Sequence, residues 1–402
     1  MNRVFKTVWS TARHALVVVS EAHQSHTKAD KSAGASTDAR PVFRGSIVAT
    51  AVLSALAFSQ ASFAAIDHTY NNDFNSSGGV THHNNVTVNT GVTLTHNEKY
   101  VEDGEEFGGN DTLYTVVVTL TNKGTIIGDG AWKVGNLVNE TGANLTTGVV
   151  TFTGASNAST EVFNNAGTAT LEAVVGKGKF TNAGTLTISS DWTMDGNALA
   201  NNAGTVTLKN VTIADGSITG AAGSTTKAES INLQKGSVES EGIVEVTNGL
   251  TAAAGTTVDV TTLKSTGAIA NAGTLTVDGL QFGGASDTFM NTGTATLGTI
   301  TGEGTFTNQA AATMTITEDY TVAQGKVFTN AGTLTAQKNL TVAGELANSA
   351  ESGVTINALT VNGSVTGAGS VGVTGKATVA QGASFTQRNL TSGTLESAGT
   401  MT

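Results

Sequence analysis

Paired carboxylates are the residues in this chain best suited to acid–base chemistry. Asp259 and Asp278, each preceded by valine, lie 19 positions apart, and a chain returning at that interval would stack them. Two acids held ~5 Å apart are what a retaining glycosidase uses, one as nucleophile and one as acid. No arginine or histidine accompanies either acid to tune it, since Arg388 is the only arginine after position 64 and the last histidine is His96. Glu318 and Asp319 are adjacent and so point to opposite sides of a strand. The seven histidines stand at positions 14, 23, 26, 68, 82, 83 and 96, so residues 97–402 hold no Ser-His-Asp or Cys-His machinery. His82, His83 and His96 have no acidic or cysteine partner at metal-binding spacing. Gly367 to Gly372 fits G-x-G-x-x-G without the strand-to-helix setting that gives that pattern meaning. No catalytic residue, metal or cofactor is expected.

The elements that position these residues repeat openly. Phe163, Phe180, Phe289, Phe306 and Phe328 each stand two positions before an asparagine. Asn-Ala-Gly or Asn-Thr-Gly occurs at Asn165, Asn182, Asn202, Asn271, Asn291 and Asn330, with a degenerate copy at Asn308. Neighbouring copies are spaced by 17, 20, 20, 17 and 22. After each glycine comes an alternation such as Thr185-Leu186-Thr187-Ile188, the period of a strand with one buried side. Asn and Gly between the apolar positions are turn residues, since both tolerate positive φ.

The expected fold is therefore all-β, a parallel β-helix (β-solenoid) of roughly 17–22-residue rungs after an N-terminal signal segment. Stacked at ~4.8 Å, rungs place Phe on Phe inside and Asn on Asn along one corner. Asp195, Asp215 and Lys235, spaced by 20 and each followed by glycine, form one surface column in this register. Lys235 then offsets the repulsion of the stacked carboxylates.

Composition narrows the partners. The segment 1–64 holds seven basic and three acidic side chains, out of 20 and 31 in the whole chain. The remainder keeps 13 basic and 28 acidic side chains, a net charge of −15, which repels nucleic acid and anionic lipid. The chain has no cysteine, and its only proline is Pro41. A disulfide-stapled scaffold is thereby excluded.

The leader reads as an export signal. Arg40 and Arg44 precede the uncharged stretch Gly45 to Phe58, and Ser62-Phe63-Ala64 supplies small residues where a signal peptidase reads, so cleavage is expected between Ala64 and Ala65. Further upstream stand a basic Met-Asn-Arg start, Phe5, Trp9 and the run Val17 to Glu21. This segment resembles the extended signal-peptide region of type V secretion (autotransporter) proteins, which usually have Asn where this chain has Ser10. The resemblance implies passage through the inner-membrane secretion machinery of a Gram-negative bacterium, slowed so that the passenger stays unfolded in the periplasm. It also implies an outer-membrane barrel, either a continuation of this chain beyond Thr402 or a separate protein. The first is expected, because no Asn-Pro-rich secretion motif is present and residues 394–402 still read as repeat.

The expected organisation is an extended signal peptide over 1–64, a capping and irregular start over 65–160, and a repetitive passenger over 161–402. Residues 65–402 give ~16 rungs and ~75 Å of length. The expected role is a surface-displayed or secreted, non-enzymatic rod in adhesion, self-association or biofilm formation. A carboxylate-dependent polysaccharide hydrolase or lyase and a structural surface-layer protein are the competing classes.

Overall fold

The computed structural model describes residues 5–10, 15–20, 66–70, 74–76, 82–96 and 115–402. The chain divides into two compact units, Met1–Ala64 and Ala65–Thr402. In the first, Phe5–Ser10 and Ala15–Ser20 pair antiparallel. The apolar stretch Gly45 to Phe58, the expected cleavage at Ala64 and Ala65, and the acidic run Glu102 to Glu106 lie outside the described residues.

The second unit is a parallel β-solenoid of about 15 turns with rungs of ~19 residues, and it contains no helix among the described residues. One rung shows the plan. Residues 180–182 lie on a first face, Thr185–Ile188 forms a second, residues 192–194 form a third, and the chain regains the first face at 199–201. Leu186 and Ile188 are buried while Thr185 faces out, as a period-two strand over a core requires. Each strand bonds to the rung below and the rung above, so the backbone is satisfied without an antiparallel partner.

Pairing crosses residue 160 without a break. Trp132–Asn139 stacks on Glu161–Asn165, and Asn144–Phe152 on Thr168–Val175. Residues 115–160 thus form rungs of the same kind as those after them.

The corners explain the glycines. A Cβ on Gly184 would lie 2.0 Å from the Gly167 carbonyl oxygen, and one on Gly204 1.8 Å from that of Gly184. Successive turns press so closely that no side chain fits at this point.

Inside the corners run two strings of asparagine amides, on two different edges. The first joins Asn122, Asn139, Asn165, Asn182 and Asn201 at the edge between the first and second faces. Each Nδ2 donates to the next Oδ1 at 2.8, 2.7, 2.7 and 3.0 Å. The second joins Asn271, Asn291, Asn308, Asn330 and Asn348 at the edge between the third and first faces, with bonds of 2.8, 2.9, 2.8 and 3.0 Å. The other N–H of each amide reaches a backbone carbonyl, as in Asn165 to Thr185 at 2.9 Å and Asn291 to Thr313 at 2.9 Å. Buried amides are tolerated because both donors are used.

Two expectations are corrected here. The asparagines do not share one corner, because the repeat has slipped round the solenoid by one face between the two strings. Asn202 is also not a member: counting inward and outward from buried Leu199 puts Asn201 inside, and Asn202 is exposed in the turn.

The aromatic residues follow the same division. Phe163 and Phe180 are register partners on the first face, packed with Phe152 and Trp192. Phe289, Phe306 and Phe328 are stacked on the third face at 5.5 and 5.4 Å, with Phe282 and Tyr320 edge-on to Phe306. Burial pushes the Tyr320 phenol well above its ordinary pKa.

Candidate functional site

The outward positions of the laddered rungs form grids of threonine. On the second face Thr185 and Thr187 stack between Thr168 and Thr170 on one side and Thr205 and Thr207 on the other. In the later rungs the same pattern has moved to the first face, where Thr294 and Thr296 lie between Thr274 and Thr276 and Thr313 and Thr315. Strand geometry sets such hydroxyls ~4.8 Å apart between rungs and roughly 6.6 Å apart along a strand. A neutral hydroxyl grid can donate and accept many weak hydrogen bonds, but it moves no proton at neutral pH.

Charges are placed in cross-rung pairs. Lys177 reaches Asp195 at 3.3 Å and Lys235 reaches Asp215 at 2.8 Å, while Asp195 and Asp215 are themselves register partners. The column anticipated from the glycine-followed aspartates is therefore bracketed by a lysine at each end. Its bond to Asp215 raises the Lys235 pKa. Lys227 with Glu245, Lys209 with Asp191 and Lys338 with Glu318 span adjacent rungs in the same way. All are a third or more exposed, so each adds little stability alone, and their consistent one-rung spacing favours the correct register. The Asn210 amide and Lys209 hold the Asp191 carboxyl below the usual carboxylate range.

One concavity of about 480 Å³ opens on the first face, lined by Glu239, Glu241, Asp259 and Asp278 with Asn202, Thr219 and Ser240. Glu239 stacks in register on Asp259, and the partner of Asp259 in the next rung is Thr276. Asp259 and Asp278 are therefore not stacked, since the local rung returns at Thr276 and Asp278 falls two positions further on. None of the four acids makes an ion pair among the described residues. No group of three metal-ligating side chains exists among them either.

The remaining candidates have structural roles. His96 is buried against Trp132, with ring centroids 4.3 Å apart, and its Nε2 lies 3.1 Å from the Ala131 carbonyl. The glycine-rich run from Gly367 is a turn between Ser364–Thr366 and Ser370–Val379. Sequence reasoning missed Asn122 and Asn139. Their corners read Asn-Lys-Gly and Asn-Glu-Thr-Gly, but Leu120 and Leu137 stand two positions before them, which was the available signal.

A parallel β-solenoid with threonine faces and no histidine after residue 96 is the class that these observations define. Residues 1–57 match the family described as Extended Signal Peptide of Type V secretion system. No curated protein and no solved structure matches the chain. The leader and the solenoid behind it support an autotransporter passenger, exported from the cytoplasm by type V secretion.

Proposed function

We propose that the chain is a non-enzymatic passenger working as a rod in adhesion, self-association or biofilm formation, displayed at the cell surface or released from it. The observation that carries this reading is the repetition of the outward hydroxyl grid from rung to rung. Equivalent groups at a fixed interval suit multivalent contact, where many weak bonds add through effective concentration. Its partners on the way out are the inner-membrane secretion machinery and an outer-membrane barrel, and at its destination host-cell surfaces or further copies of itself.

The test is to display the chain on non-aggregating cells and measure settling and adherence as whole rungs are deleted. Graded loss with rung number is expected. Complete loss from one surface substitution would point to a single pocket and overturn the multivalent reading. Polysaccharide turnover abolished by Glu239→Gln or Asp259→Asn would replace it with an enzyme.

A further inference from the structure

We infer that the solenoid contains a compliant joint, the rungs between Asn201 and Asn271, which opens before the stacks on either side of it. Three features coincide there. Both amide strings are absent, with Gly220, Ser240 and Val260 occupying the positions that continue the first string. No residue from 193 to 281 is aromatic, whereas the flanking stacks are built round Phe163, Phe180 and Trp192 on one side and Phe289, Phe306 and Phe328 on the other. The interior there is aliphatic, built of Val, Ile and Leu, and it is interrupted by small or polar side chains, among them Thr226, Ala228, Ala252 and Ser265, while the buried Ser224 hydroxyl has no hydrogen-bond partner.

Backbone pairing does not compensate selectively. The joint has long strands, Thr205–Gly220 and Gly236–Ala252, but its neighbours are paired on both sides as well. What differs between regions is the side-chain content of each rung. In a solenoid every rung touches only its neighbours, so local stability is a sum of local terms and a weak run is not rescued from a distance. The joint therefore separates two cooperative blocks, 115–201 and 271–348. This inference does not depend on what the surface binds.

Amide hydrogen exchange of the whole chain at rising urea, read by mass spectrometry, tests it. Residues 206–265 are expected to exchange at least about tenfold faster than 163–188 and 289–334. Asn182→Ala should speed exchange in the first block alone and Asn308→Ala in the second alone. The wild-type profile decides even where a variant folds poorly. Protection of 206–265 equal to or above that of both flanks would overturn the inference. Acceleration of both blocks by either substitution would do the same.

Discussion

From Asn122 to Asn201 the amide string follows the edge between the first and second faces, while from Asn271 to Asn348 it follows the edge between the third and first. The bulky residue, the asparagine, the glycine turn and the threonine strand keep their order in both stretches. Only their place on the solenoid changes. The motif is thus a local unit that closes a corner, and two of the three corners accept it. Its location is set by how much chain separates one run of copies from the next.

Substitutions can break or sharpen this comparison. Phe306→Ala removes a ring that touches Phe282, Phe289, Tyr320 and Phe328, and it should cost about 3–5 kcal/mol. Urea denaturation followed by circular dichroism measures the cost, which should fall on the later stretch. A smaller effect separates two neighbours. Asn201→Ala leaves the Asn182 amide without its acceptor and should destabilise by about 1–3 kcal/mol, while exposed Asn202→Ala should stay within about 0.5 kcal/mol. Equal effects would show that the string does not end as described. The smallest effect is electrostatic. The Asp191 pKa is depressed, so its stabilisation is present above the unfolded value near ~3.9 and is lost as pH falls through the folded value. The difference between wild type and Asp191→Asn in urea midpoint should therefore be present at pH 6 and vanish toward about pH 2.

Much of this architecture was legible because it repeats. Phe two before Asn, Gly two after it, and alternating threonines state which side chains face inward, and the rung length follows from their spacing. The two edges were hidden in one interval. From Asn201 to Asn271 the chain makes three whole rungs, through Gly220, Ser240 and Val260, and then a fraction of a fourth. Only that fraction reveals the slip to another face. In Asn201-Asn202 the turn motif pointed to the second asparagine, while alternation from Leu199 points to the first. The acid pair failed for a related reason. Its spacing of 19 matches the mean rung, but the local rung runs from Asp259 to Thr276. Periodicity gives the average interval, whereas a site depends on the particular one.

Every amide in both strings donates in the same chain direction, and each link is the same bond between the same two groups. A duplicated rung inserted between Asn165 and Asn182 would find the bonds of its neighbours already of the right kind and would simply lengthen the string. Such a chain can gain or lose whole turns by unequal recombination of its gene without redesigning any interface. A change in reach then needs no new chemistry.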